Sequence, residues 1–387
     1  MGITRRLFGR FGQRAAEPTA SLARWGPGEV RRTPDRYDQL AREGYLGCVV
    51  AYRCIREIAR GAATVPWLVY NGVRELDDHP LVDLLRRPNP AQSGADLIEA
   101  LLVHHQIAGN AWAQAIGPDG GPPREIHALR PDRMSVVPGP GGLPAAHVLE
   151  SDGRRASWPV DPLTGRGDIL HFRDFHPFDD WYGLSPLRAA AVAIDQFNAA
   201  TAHNLALLQN GARPSGALLF KTDPGADNLK RVERWLADRF QGARGAGRPF
   251  VLGGDVTWLD LGLSPRDMDF DTMLNTVSRH ICGAFGVPHV LVLPGESTYA
   301  NRADARLELW EQTILPLLDR LAQALTGWLG PRFPGQLRIV PDVDEVSALH
   351  PRRQVRWATV GRADFLTRDE KRAAVGYPPL ADAQGGA

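Results

Sequence analysis

The chain has 387 residues, 43% hydrophobic and 23% charged, a mixture that can bury a sizeable core and that excludes a disordered or fibrous protein. Its formal net charge of +1 gives no overall drive toward a polyanion, whereas a dedicated duplex binder carries a strongly basic face. Cys48, Cys54 and Cys282 are too few and too widely spaced for a disulfide framework or a zinc knuckle, so they read as buried thiols of a protein folded in a reducing cytoplasm.

Residues 1–40 mix arginine with glycine, proline and alanine and show little periodicity, which predicts a flexible basic arm. Arg5, Arg6, Arg10 and Arg14 punctuate its start with no apolar centre behind them, so it does not read as a secretory signal. No apolar run approaches the length of a membrane span, and a membrane is not an expected partner. Over 45–63, Val49, Tyr52, Ile55, Ile58 and Ala59 recur at helical spacing, and a short strand follows over 66–70. A second helix is predicted over 93–108, then strands over 111–115, 126–129, 134–137, 146–150 and 169–173. Residues 41–184 therefore read as an α+β region.

Ser185 followed by Pro186 is a strong helix start, an oxygen to cap free backbone donors and a proline where no hydrogen bond is lost. The helix is expected to run to Gln209, about 35 Å, with Leu187, Ala191, Ile194, Phe197, Leu205 and Leu208 on its apolar face. Asp195, Asn198 and His203 lie off that face. After Gly211 comes a compact βαββ insert: a strand over 217–221, a helix over 228–240, the glycine-rich loop 242–248, and strands over 249–252 and 256–261. Ser264 and Pro265 repeat the helix start, with Asp267 near the positive end of the dipole. Phe270, Met273, Leu274, Val277, Ile281 and Phe285 form its stripe, and Gly286 with Pro288 ends it. A polar loop over 295–301 leads to a third long helix over 301–329, carrying Trp310, Ile314, Leu317, Leu321, Leu325 and Trp328. Pro316 removes the bond to the Gln312 carbonyl there and predicts a kink. A strand over 337–340 and two short helices follow, the last capped by Thr367 with Glu370 three residues on.

Chemistry-bearing clusters are sparse. His171, Arg173, Asp174, His176, Asp179 and Asp180 crowd a strand and the turn after it, a placement that suits structural hydrogen bonding better than a converged metal site. His104 and His105 are adjacent on a helix and must diverge. The loop 242–248 lacks the Gly-Lys-Ser/Thr ending of a phosphate loop, and no nucleophile elbow or paired Cys and His is visible. No enzyme activity, metal or cofactor is expected. The insert helix and loop carry Lys230, Arg231, Arg234, Arg239, Arg244 and Arg248, partly offset by Glu233 and Asp238, which reads either as a solvated face or as a docking surface for an acidic partner. The loop residues Glu296, Ser297, Thr298, Tyr299, Asn301 and Arg302 offer hydroxyls, an amide, a ring, one acid and one base, a set able to touch a polyanion weakly without holding it.

The runs Ala51-Tyr-Arg-Cys-Ile-Arg-Glu-Ile-Ala59, His79-Pro-Leu-Val-Asp-Leu-Leu-Arg-Arg-Pro-Asn-Pro90, Gly109-Asn-Ala-Trp112, Gly183-Leu-Ser-Pro-Leu187, Phe285-Gly-Val-Pro288, Ser297-Thr-Tyr-Ala-Asn301, Phe365-Leu-Thr-Arg-Asp-Glu370 and Gly376-Tyr-Pro-Pro379 occur in this order. That order resembles the portal proteins of tailed phages, prophages and gene transfer agents, the head-to-tail connectors. The resemblance implies a portal fold of the α+β class and a twelve-membered ring around an axial channel for double-stranded DNA. It implies a wing over 41–184, stem helices over 185–212 and 264–287, a clip over 213–263, a tunnel loop over 288–302, a kinked wing helix and strand over 303–346 and a short crown over 347–387. Glu296 to Arg302 would face the channel, and Asp195, Asn198, Asp267, Asp269 and Asp271 are the stem positions offered for its lining. The basic clip residues would meet the terminase large subunit and then the head–tail adaptor, with the major capsid protein around the ring. Such a ring sits at the portal vertex of a virion or phage-like particle assembled in the bacterial cytoplasm. The alternative is a scaffold or adaptor that uses the same long helices for protein contacts alone.

Overall fold

The structure is a computed structural model that describes residues 33–118, 121–209, 216–220, 225, 227, 230–231, 256–260, 270–293, 295 and 298–377. The described chain starts in a short helix, α1 (Tyr37–Gln39), that runs straight into a π-helical segment (Leu40–Leu46). Residues 33–40, expected in the flexible arm, are part of the packed body, with Thr33 and Leu40 buried. They carry few apolar side chains, which is why periodicity did not show them. Next comes α2 (Val49–Ala63), whose buried Val50, Ala51, Cys54, Ile55, Ile58, Ala59 and Ala62 recur at the three- and four-residue steps of one helix face. Burial of Ile55 and Ile58, both fully enclosed, contributes about 2–3 kcal/mol each.

A hairpin of β1 (Trp67–Asn71) and β2 (Arg74–Glu75) follows, with Gly72 at φ 63° in its turn. Then comes α3 (Pro80–Arg86), started by His79, whose Nδ1 accepts from Leu81 N–H at 3.1 Å. Helix α4 (Gly94–Ala108) opens with a reciprocal capping box between Ser93 and Asp96 and closes on Gly109 in the left-handed conformation. An Arg56–Glu99 ion pair at 2.5 Å ties α2 to α4.

Two small antiparallel sheets follow. Strand β3 (Asn110–Ile116) lies between β4 (Glu125–Leu129) and β8 (Ile169–Arg173), and β6 (Pro144–Ser151) lies between β5 (Met134–Pro138) and β7 (Arg154–Pro159). Sequence periodicity missed β7 because it is mostly exposed and lacks apolar alternation. Its signal was the turn, since Asp152 and Gly153 both take positive φ, 52° and 74°, as a two-residue hairpin of this hand requires.

Next come α5 (Pro186–Ala189) and, directly after it, α6 (Ala191–Gln209). The single helix expected here is broken at Ala190, so the regular part has 19 residues. That corresponds to a length of about 28 Å. Within the insert, β9 (Gly216–Phe220) pairs antiparallel with β10 (Val256–Asp260). The expected strand over 249–252 and most of the helix over 228–240 lie outside the described residues. The helix expected from Ser264 is α7 (Phe270–Ala284); its Ser264 start also lies outside them.

Helix α8 (Tyr299–Leu309) then passes through a π segment (Trp310–Ile314) into α9 (Leu315–Leu329). The irregularity expected at Pro316 takes the form of this π segment, in which Leu315 N–H reaches back five residues to the Trp310 carbonyl. Ile314 and Trp310 lie over Gly61 of α2, where a Cβ would come within 2.8 Å of Ile314. Strand β11 (Leu337–Pro341) pairs along β1 from Trp67↔Pro341 to Asn71↔Leu337, joining the far ends of the chain in one sheet. Leu317, Leu318, Leu321, Leu325 and Leu329 of α9 fill the core beside it. The last described helices are α10 (His350–Gly361) and α11 (Arg368–Ala374), the latter with the expected Thr367/Glu370 capping box.

Candidate functional site

Helices α5 and α6 are set on the α+β body at a buried junction. Asn110, 6% exposed, accepts hydrogen bonds on Oδ1 from Gly183 N–H (2.9 Å) and His171 Nε2 (2.9 Å) and donates from Nδ2 to the carbonyls of Ala108 (2.7 Å) and Gly183 (3.3 Å). Gly109 and Gly183 touch through their backbones: a Cβ on Gly183 would lie 2.1 Å from the Gly109 carbonyl oxygen. Two residues later Ser185 Oγ accepts from Arg188 N–H at 2.8 Å and starts α5. Arg320 of α9 braces the same turn by donating to Asp174 Oδ1 (2.7 Å) and to the Arg173 carbonyl (3.0 Å). Burial pushes the Asp174 carboxyl up, but His105 and Arg320 outweigh it and hold the group below its usual range.

Helices α6 and α7 pack on each other, and α7 buries Val277, Ile281 and Cys282 toward α2. The two α6 positions offered for a channel lining are engaged inside the chain. Asp195 accepts from the backbone N–H of Thr33 at 3.0 Å and from its hydroxyl, and Asn198 Nδ2 donates to the Glu43 carbonyl at 2.8 Å. Residues 33–46 cover that face of α6 in part, leaving Asp195 and Asn198 half-buried, and Gly44 leaves room for Leu187 of α5. Asp271 is exposed and accepts from Asn275 Nδ2 at 3.3 Å. Asp267 and Asp269 lie outside the described residues. The exposed part of α7 carries Asp271 and Arg279, one charge of each sign.

The loop after α7 is narrower than expected. Thr298 Oγ1 accepts from Asn301 N–H at 3.2 Å and caps α8, so Tyr299, Asn301 and Arg302 stand in the first turns of a helix rather than in the loop. Tyr299 is 92% exposed, and Asn301 and Arg302 are exposed beside it. Glu296 and Ser297 lie outside the described residues. At the other end Gly286, at φ 65°, terminates α7, and its carbonyl accepts from Thr313 Oγ1 at 2.6 Å. In the insert, Lys230 and Arg231 are exposed, while Arg234, Arg239, Arg244 and Arg248 lie outside the described residues.

Residues 49–376 match the phage portal protein family. The chain belongs to that family. Among solved structures, this portal chain is similar to a chain in the neck of an empty gene transfer agent (GTA) particle computed with C6 symmetry, 41% identical, covering 91% of this chain and 96% of that one with a TM-score of 0.71. A chain in the neck of a native GTA particle computed with C12 symmetry is 40% identical over 92% and 95% with a TM-score of 0.67. The crystal structure of an HK97-family phage portal protein from Corynebacterium diphtheriae, 15% identical with a TM-score of 0.58 over 79% of this chain and 97% of that one, shares the fold. An uncharacterized Rickettsia bellii protein is 37% identical over 88% of the portal chain and 89% of its own length.

The buried histidines described next serve packing. His171 stacks on Trp112 at 3.6 Å with an 8° interplanar angle, and His147 meets Trp112 edge-on at 5.1 Å. Burial pushes His147 and His104 down to about 4, and burial, followed by the charges of His147 and Arg173, holds His171 well below its usual value. His104 and His105 diverge, the first to the Tyr37 hydroxyl (2.8 Å), the second onto Phe172. His176 and Asp179 each accept backbone N–H groups of their own turn. Among the described residues, no three His, Cys, Asp or Glu side chains are grouped to hold a metal ion.

Proposed function

We propose that twelve copies of this chain form a ring at the portal vertex of a phage or gene transfer agent particle, through which double-stranded DNA enters and leaves. The observation that carries this reading is the 41% identity, over 91% of this chain and 96% of the other, to a chain of a GTA particle neck. The ring would contact the major capsid protein by its outer body. The clip around β9 and β10 would dock the terminase large subunit during packaging and the head–tail adaptor afterwards, through Lys230, Arg231, Arg234, Arg239, Arg244 and Arg248. The segment from Glu296 to Arg302 would face the channel axis, with Tyr299, Asn301 and Arg302 presented from the first turns of α8. The balanced charge on the exposed face of α7 supports a lining that DNA slides past, since deep electrostatic wells would hold it. Energy for movement would come from a separate ATPase.

Electron microscopy of the purified chain tests the ring: particles with an open axial hole are expected, and a compact monomer both alone and with its capsid protein would overturn it. Deletion of Glu296 to Asn301 is expected to leave folded rings whose particles lose DNA content. Reversal of charge at Arg231 and Arg234 is expected to reduce packaging; full packaging in that variant rejects the clip as the docking surface.

A further inference from the structure

A cavity of about 460 Å³ opens between β5, β6, β8, the loop 164–167 and α9. That size falls within the span of small-molecule sites, about 300–1,000 Å³. His147 of β6 lines it, is 5% exposed, and has no hydrogen-bond partner within the chain on either ring nitrogen. Buried polar groups are ordinarily satisfied, so a ligand seated here has to complement this one. His171 of β8 lines the same space. Its Nε2–H is committed to Asn110 Oδ1 at 2.9 Å, which leaves Nδ1 as an acceptor. Burial holds both imidazoles far below their usual range, so at pH 7 this side of the cavity is neutral and offers hydrogen-bonding positions without charge.

The exposed side is different. Arg166 and Arg173 both line the cavity and both are exposed. Arg173 gives one donor to the Asp180 carbonyl, and Arg166 forms no ion pair among the described residues. No carboxylate lines the cavity. Of the acids close by in sequence, Asp161 accepts from Leu163 N–H at 2.9 Å and from Thr164 Oγ1 at 2.6 Å, and Asp168 pairs with Arg332 at 2.8 Å. The Thr164 and Leu163 bonds hold the Asp161 carboxyl below its usual range, with Arg166 the least of the causes. Asp179 takes the N–H groups of Trp181 and Tyr182, and Asp180 is exposed. Two guanidinium forks on one cavity suit a phosphate, whose free oxygens can serve both, better than a carboxylate, which one fork saturates. The walls include Trp181 and Trp328, the latter 6% exposed and fixed by its Nε1 bond to the Gly167 carbonyl at 3.1 Å. Indole faces stack planar heterocycles. A ligand that uses every part of this lining carries a phosphate, a flat ring and a ring edge with donors and acceptors side by side.

We propose that this cavity binds a free mononucleotide, with its phosphate on Arg166 and Arg173, its base against Trp181 and Trp328, and the polar edge of the base on His147 and His171. The site stands apart from the ring reading and survives or fails without it. The test titrates the full-length chain with deoxyadenosine monophosphate (dAMP), read by quenching of tryptophan fluorescence, and locates the site with a photoreactive azido derivative of dAMP and peptide mapping. Saturable quenching is expected, with adducts on the peptides that carry His147, Trp181 or Trp328. Arg166→Gln, in an exposed loop, should keep its urea midpoint and bind dAMP about tenfold more weakly, the loss of one charge-assisted contact. Deoxyadenosine, which lacks the phosphate, should bind more weakly than dAMP and equally to the parent and the variant. Quenching that does not saturate, adducts elsewhere on the chain, or equal dAMP affinity in Arg166→Gln would each overturn the site. Inorganic phosphate bound as tightly as dAMP would overturn it too, since the base would then contribute nothing.

Discussion

Asn110→Ala is the most direct probe of how α5 and α6 are held on the α+β body. The substitution leaves Gly183 N–H and His171 Nε2 without their shared acceptor, at a site where Asn110 is 6% exposed and both bonds are 2.9 Å long. A stranded buried donor costs about 1–3 kcal/mol, and the carbonyls of Ala108 and Gly183 each lose a donor as well but keep other lone pairs. The expected sum is about 3–4 kcal/mol. In urea, with a slope of about 3 kcal/mol/M for a chain of this size, the midpoint should fall by about 1 M. Tryptophan fluorescence reports it, because Trp112 stacks on His171 beside the junction. Asn110→Asp keeps the acceptor and loses both donors, and it places a charge among carbonyls. Its deficit relative to Asn110→Ala should therefore shrink as pH falls and the carboxyl becomes a donor. A midpoint for Asn110→Ala within about 0.2 M of the parent protein would refute the reasoning, since the bonds would then be worth under about 1 kcal/mol together.

Other predictions rest on separate features. Gly183→Ala forces a Cβ to within 2.1 Å of a backbone oxygen that cannot move aside, so it should cost about 3 kcal/mol or prevent folding. Gly283→Ala on α7 meets open space, and its midpoint should rise by the equivalent of about 0.5–1 kcal/mol. For His147, whose value in the folded protein is depressed to about 4, the unfolded chain takes up the extra proton as pH falls below the usual 6.5. Its contribution is therefore present above that range and is lost between 6.5 and 4, by about 2 kcal/mol at pH 5. His147→Phe should flatten the decline in urea midpoint between pH 7 and pH 5, and an unchanged slope would count against it. Cys48, Cys54 and Cys282, each at most 1% exposed, should resist a thiol reagent in the folded protein and react together across the unfolding transition. Early labelling of Cys282 alone would mean that α7 leaves α2 before the rest unfolds.

What the sequence disclosed depended on whether a feature was local. Helices α2 and α4, the Ser185 start, the Thr367 capping box and the strand over 169–173 were readable because each is set by spacing or capping within a few residues. The junction was not readable, although both of its halves were visible as separate runs. Nothing in Gly109-Asn-Ala-Trp112 or Gly183-Leu-Ser-Pro-Leu187 indicates that 73 residues are bridged by one amide side chain. The same reason explains Asp195 and Asn198. Both lie off the apolar stripe of α6, which the sequence equates with solvent, yet residues 33–46 cover them through polar contacts that carry no hydrophobic period. The first turn of α8 was misplaced by two residues because Thr298, Asn301 and their neighbours suit a loop and a helix cap equally well.

The π segment gives the loop before α8 a specific mechanical setting. A proline at 316 cannot donate to Gln312, and in a regular helix that carbonyl would be left short of a partner. Widening the preceding turn shifts the pairing to Leu315 N–H with Trp310 O and seats Ile314 and Trp310 on α2 at Gly61. In the same turn Thr313 is placed to donate to the Gly286 carbonyl, where α7 ends. The end of α7 and the π segment before α9 are therefore fastened to each other, and both are fastened to the core, since Ile281, Phe285, Val287 and Ile314 are buried together. Between these anchors Leu293 is half-buried, and Gly295, Thr298 and Tyr299 are exposed. Under the proposed channel-facing role of Tyr299, a force on that side chain would act on α8 before reaching the Gly286–Thr313 bond. Thr313→Val, which keeps the shape and removes the donor, isolates that bond, and any change in DNA retention without a change in ring number would locate the coupling there.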